Sequence, residues 1–373
     1  MKFRLTAVIV LALCLSNAFA DEGMWLLGNL KKNKQTDRVM RELGLQMPVN
    51  KLYNPKKPCL ADAVVSFGGF CSGVVVSEDG LVFTNHHCGF SSIQQHSSVE
   101  HDYLKDGFVA RSLEEELPNP ELYVRFLLRT ENVTKRVLSA AKHAKTESER
   151  RVVVDSVMNV IGMEVSEKDS TLTGIVDAYY AGNEFWLSVY RDYNDVRLVF
   201  APPSSVGKFG WDTDNWMWPR HTGDFSVFRV YAGPDNKPAD YAPENRPYKA
   251  DKFLKVSVDG YKEGDFAMIM GFPGSTSRYM TSFEIDRMLD IENPQRIFIR
   301  GERQAILKED MAASDKVRIQ YASKYAQSSN YWKNSIGMSR GIRKLNVKAQ
   351  KEAQEAAFRK WAEANTLPTE GYM

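Results

Sequence analysis

Two adjacent histidines and a cysteine, His86-His87-Cys88, stand just after the apolar run Leu81–Phe83. An imidazole can take up and return a proton near neutral pH, so a histidine held still at the end of a strand suits general-base chemistry. Neighbours on a strand point to opposite faces, so only one of the two rings can look into a cleft. Cys88 favours His87, because a disulfide from the next residue would pin the backbone beside that ring; His86 then packs or supports. Two other uses of the pair stand beside this one. Both could be ordinary strand-end histidines, or His86, His87, Cys88, His96 and His101 could bind zinc. Their spacing lacks the two ligand dyads at fixed offset that a structural zinc site shows, so no metal is expected.

A base of this kind needs an acid to orient it. Trp211 to Ser226 packs three acids, three tryptophans, an arginine and a histidine into one stretch. Within it Asp224 follows Gly223 and opens the β run Phe225–Tyr231. An acid at the mouth of a strand can hold an imidazole in one tautomer and stabilise its cation. A solvated turn acid beside core tryptophans would look much the same by itself; His87 and a cysteine-bearing hairpin tip the balance toward chemistry.

The elements that must position these groups are β-rich. Val64–Phe67, Gly73–Val76 and Leu81–Thr84 have strand character, with the turn Ser77-Glu78-Asp79-Gly80 between the last two. That hairpin brings its two ends together, so Cys71–Cys88 is the expected disulfide and Cys59 is left over. Ser98–Glu116 and Thr134–Val160 turn charged and helical. A second β stretch begins near Thr173 and includes Glu184–Arg191, Asp195–Phe200, Asp224–Tyr231, Phe253–Val256 and Phe266–Met270, closed by Gly271-Phe272-Pro273-Gly274. Ser282–Ile291, Pro294–Lys324 and Gly341–Asn365 form long charged helices. The class is therefore mainly β with α insertions: a β-barrel region over 21–278, then the beginning of an α-helical domain over 279–373.

Residues 1–20 have the form of a secretory signal: Lys2 and Arg4, an apolar stretch Ala7–Leu15, and Ala18-Phe19-Ala20 as cleavage site. Leu13 before Cys14 speaks against a lipoprotein. Export permits the disulfide. No later stretch is apolar for long enough to span a bilayer. The net charge of +2 argues against nucleic acid as a partner.

Phe67-Gly68-Gly69-Phe70-Cys71, Thr84-Asn85-His86-His87-Cys88-Gly89, the run Asn215 to Phe225 and Gly271-Phe272-Pro273-Gly274 together resemble the S46 peptidases, a family of bacterial dipeptidyl peptidases. The resemblance runs the length of the chain. It implies a chymotrypsin-like double β-barrel with a helical domain inserted in it, in a periplasmic or surface-associated and usually dimeric enzyme. It also implies release of dipeptides from free peptide N-termini, without a cofactor. His87 matches the family's base and Asp224 its triad acid. Asn215 and Trp216 match the region that binds the N-terminal dipeptide, and Asn330 a helical-domain residue that binds the free α-amine. Asparagine oxygens can accept from an ammonium, and a helical lobe closes the cleft beyond it.

The sequence departs from the family pattern at the nucleophile. None of Ser72, Ser275 and Ser335 lies in a glycine loop able to aim two backbone amides at an oxyanion. The expectation is an exported serine dipeptidyl peptidase segment with base and acid but no serine, inactive by itself. The alternative is a non-catalytic secreted peptide-binding protein or an inactive gene fragment.

Overall fold

The structure, a computed structural model, describes residues 24–30 and 34–365; the signal-peptide assignment lies outside them. Its centre is an eleven-stranded antiparallel sheet. The strands are β1 (Val64–Phe67), β2 (Cys71–Val75), β3 (Leu81–Thr84), β4 (Phe108–Val109), β5 (Leu117–Pro118), β6 (Val124–Asn132), β7 (Leu172–Tyr179), β8 (Glu184–Tyr193), β9 (Asp195–Ala201), β10 (Ser226–Ala232) and β11 (Arg246–Pro247). The main path runs β4-β9-β10-β3-β2-β1-β6-β8-β7, with β11 beside β10 and β5 beside β9. Its two ends do not pair, so the described residues form an open sheet.

Short β-branched and aromatic runs separated by turn residues produce the middle of this sheet. Gly68 and Gly69, at φ of +62° and +78°, make the β1–β2 turn, a backbone conformation costly for any side chain. Val65, Phe67, Val75, Val82, Val124, Leu198, Phe228 and Val230 are fully buried in one cluster, with the Phe67 and Phe228 rings 4.8 Å apart. Each such side chain contributes about 1.5–3 kcal/mol by leaving water.

Helices cover the sheet and then leave it: α1 (Lys34–Glu42), α2 (His86–Gln95), α3 (Thr134–Ala140), α4 (Glu147–Lys168), α5 (Ser282–Arg287), α6 (Asn293–Ala313), α7 (Asp315–Lys344) and α8 (Val347–Ala364). A π-helical turn, Met288–Glu292, joins α5 to α6. Ser314 breaks the expected Pro294–Lys324 helix, its extended backbone and side chain capping the start of α7.

Several expectations need correction. Ser98–Glu116 is not a helix. It holds a helical turn, Tyr103–Asp106, ended by Gly107 at φ 79°, the strand β4, which pairs with β9, and a 3-10 turn, Leu113–Glu115. Phe253–Val256 and Phe266–Met270 join no ladder, although Leu254 N–H donates to Val75 O at 2.9 Å. Strand character alone does not make a strand; a partner must supply the hydrogen bonds. Strand β6 went unread because Arg125, Arg129 and Glu131 mask its alternation.

Candidate active site

Strands β3 and β10 are far apart in sequence yet pair directly, with Thr84 opposite Ser226. In an antiparallel ladder the end of one strand lies beside the start of the other. Residues just after Thr84 therefore meet residues just before Ser226. Ser226 Oγ reinforces the junction by donating to Asn85 O at 2.9 Å.

His86 and His87 do not end a strand; they open α2, with Asn85 as the extended residue before it. Helical phase separates the rings by about 100° instead of 180°. His87 still faces out, its side chain 70% exposed, while His86 is 1% exposed. His87 Nδ1 lies 2.7 Å from Asp224 Oδ2, and His87 N–H donates to Asp224 Oδ1 at 3.0 Å. Asn85 Nδ2 adds a donation to Asp224 Oδ2 at 3.2 Å. Burial opposes ionisation of Asp224, but the hydrogen bonds and charge of His87 outweigh it and hold the carboxyl below its ordinary range. Nδ1 is thus committed to the acid, and Nε2 has no protein partner among the described residues. Asn85 escaped sequence reasoning, though its place beside the histidine pair was the available signal.

Burial pushes His86 down to about 4, with the charges of His87 and Lys208 adding to it against that of Asp224. Its ring packs against Gly207, where a Cβ would come within 2.4 Å of the ring, and its Nε2 has no hydrogen-bond partner. It is a neutral packing group. Cys71 and Cys88 are disulfide-bonded, with Cα atoms 6.2 Å apart, which ties the start of β2 to the first turn of α2. Cys59 is a buried free thiol. The grouping Cys71, His87 and Cys88 offers no thiolate to a metal, because its sulfurs are bonded to each other. His96 pairs with Asn119, and His101 stacks on Tyr103.

The Trp-rich segment docks on α7. Asn330 Oδ1 accepts from Asn215 Nδ2 at 2.9 Å and from Trp216 Nε1 at 3.1 Å, so the structure brings all three together. Arg220 donates to Asn215 Oδ1 at 3.2 Å and Tyr325 OH to Asp212 Oδ2 at 3.2 Å. Trp211 and Trp216 have φ of 47° and 57°, a left-handed backbone rare for bulky residues that persists only where the surrounding structure holds it. Trp216 and Trp218 remain exposed, so the segment presents an aromatic wall. Ser72 Oγ accepts from Phe272 N–H at 2.7 Å, and Ser335 is buried in α7 with its hydroxyl donating to Tyr331 O.

Known proteins resemble this chain along nearly its whole length. The family model for peptidase S46 matches residues 20–372. A dipeptidyl-peptidase 7 of Porphyromonas endodontalis is 52% identical over 376 residues, covering 100% of this chain and 46% of its own length. An Asp/Glu-specific dipeptidyl-peptidase of Porphyromonas gingivalis is 43% identical over 374 residues, covering 99% and 52% respectively. The crystal structure of Porphyromonas endodontalis DPP11 in complex with the dipeptide Arg-Glu superposes with a TM-score of 0.87 at 42% identity, over 94% of this chain and 50% of that one. The chain thus spans about half the length of the relatives it matches. By sequence, fold and the match along nearly its whole length, the chain belongs to the S46 peptidase family.

Proposed function

We infer that this chain supplies the general base and the orienting acid of an exported serine dipeptidyl peptidase that releases dipeptides from free peptide N-termini. The observation that supports it most is the His87–Asp224 contact of 2.7 Å beside an Nε2 left open to solvent. Asp224 accepts the Nδ1 proton, so Nε2 carries the lone pair. It can take the proton of an attacking serine hydroxyl and later hand it to the leaving amine; water then hydrolyses the acyl-enzyme by the same relay. The nucleophile and the oxyanion donors belong, in this proposal, to the part of the relatives' length that this chain does not match. That part would also complete a chymotrypsin-like double barrel from the open sheet and carry the side-chain selectivity. The helices from Ser282 onward would begin the lobe that caps the cleft.

Asn215, Trp216 and Asn330 would hold the substrate's N-terminus. The asparagine oxygens now accept from N–H groups within the cluster, so a substrate ammonium would exchange with those donors or share the oxygens. The signal-like leader and the disulfide support a periplasmic or surface location, and the longer protein would work as a homodimer without a cofactor. The test is hydrolysis of dipeptidyl anilides by the longer protein containing this segment. Free-amine substrates should be cleaved and N-acetylated ones spared, and His87→Ala should abolish turnover. Equal cleavage of acetylated substrates would sink the exopeptidase assignment. Dipeptide binding without turnover would instead support the second reading, a secreted peptide-binding protein.

A further inference from the structure

Helix α2 carries more than His87. The C-terminal end of this helix meets α7 through Gln94, whose side-chain amide lies across a rung of the α7 ladder. Gln94 Nε2 donates to Ile319 O at 2.6 Å and to Gln320 O at 3.0 Å, and Gln94 Oε1 accepts from Ser323 N–H at 3.0 Å. Ile319 O and Ser323 N–H are the i and i+4 groups that an α-helix ordinarily bonds to each other. A side chain that bonds to both groups splints one helix to the other. Ser91 Oγ contacts Ser323 Oγ at 3.4 Å, and Arg318 forms an ion pair with Asp102 on the far side. The order of these contacts, 102 with 318, 94 with 320 and 91 with 323, makes the two helices antiparallel at the crossing.

Spacing gives this clamp its significance. His87 precedes Gln94 by seven residues, and Asn330 follows Ser323 by seven. Seven residues are close to two helical turns, so each residue lies on the face of its helix that bears the clamp, roughly 10 Å along the axis. Because the helices run antiparallel, both lie on the same side of it. The arrangement is a caliper with its pivot at Gln94–Ser323 and its tips at His87 and Asn330.

We propose that Gln94 is a positioning residue that sets the distance between the base and the N-terminus anchor, and thereby fixes where the cut falls. The inference rests on the peptidase assignment above for its functional half; its structural half stands alone. A dipeptide spans roughly 7 Å in extended form, and a change of one residue in that span moves the scissile bond by about 3.5 Å. Ordinary inter-helix packing would tolerate the loss of one amide; a ruler would not.

The experiment pairs a distance with a product. Spin labels at exposed Val109 and Lys344 report how α7 sits on the sheet. Gln94→Met removes both halves of the clamp at nearly equal length; Gln94→Glu retains the acceptor for Ser323 N–H and loses the donor. The expected result is a shifted or broadened distance distribution, larger for Met than for Glu, with Ser91→Ala close to wild type. In the longer, peptide-cleaving protein, Gln94→Met should lower kcat about 10- to 100-fold with KM within about twofold, and tripeptide product should rise relative to dipeptide. A distribution unchanged by Gln94→Met overturns the clamp. A changed distribution with unaltered kcat and product length overturns the ruler. If the wild-type protein cleaves no free-amine substrate, the peptidase assignment fails instead, and the distance result still decides the clamp. Should Gln94→Met not fold, the Gln94→Glu variant carries both readouts alone.

Discussion

One residue of helical phase divides the histidine pair into a structural and an exposed ring. The packing role of His86 makes a pH signature. Its neutral form is favoured in the fold, with burial moving it from 6.5 to about 4. Between those values the unfolded chain binds a proton that the folded chain refuses. Stability is therefore complete above about pH 6.5 and falls as the pH drops toward 4, by as much as about 3 kcal/mol. Thermal melting of His86→Leu from pH 7 to 4 should be flatter than wild type; an equally steep loss would show that other groups govern acid sensitivity. Asp224 makes a kinetic prediction. Asp224→Asn keeps the shape but offers an amide where a carboxylate held Nδ1–H, so under the proposed function kcat for peptide cleavage should drop about 10⁴-fold. A loss below tenfold would remove Asp224 from the relay. His87 and Asp224 could be singled out because reactive residue types stood in a dense, unusual setting, whereas Asn215, Trp216 and Asn330 were picked out only through the family resemblance. Asn85 and Gln94 were not, since an amide acts only through the partner the fold brings to it.

At the scale of elements, the disulfide and the β3–β10 ladder share the work of holding α2. The 17-residue separation of Cys71 and Cys88 closes a loop whose cross-link is worth about 3 kcal/mol on the chain-entropy account. A Cys71→Ser/Cys88→Ser double variant should unfold at correspondingly lower denaturant, with faster amide exchange concentrated in the first turn of α2. Exchange raised evenly over the whole sheet would mean that the bond acts globally and does not tether that turn. The hairpin and its disulfide could be foreseen because turn residues and cysteines bracket two apolar runs. The helical start at His86 could not: a histidine pair after a strand carries no cap side chain, and Asn85 makes no side-chain cap bond. Tertiary contacts with Asp224 and the disulfide set that boundary instead.

Across the whole molecule, apolar groups gather where the β pattern finds no partner. Val258, Tyr261, Ile269 and Tyr279 are almost wholly exposed along the unpaired stretch that follows β11. Strand-like apolar segments without a ladder tend to associate. This chain alone should therefore self-associate on sedimentation, and Val258→Lys/Ile269→Lys should reduce that without lowering the melting temperature. Association untouched by those charges would place the sticky surface elsewhere, such as the exposed Val152, Val160 and Met163 of α4. The β class and the helical run were readable from the pattern of apolar runs and turn residues; the sheet order was not, because Thr84 pairs with Ser226 across more than a third of the chain. That pairing has a consequence in time. His87 and Asp224 are 137 residues apart. A chain emerging from the ribosome must make β10 and close a long loop before the ring acquires its orientation. The His87–Asp224 contact is thus among the last things this segment assembles, and a nascent chain carries an unaimed imidazole.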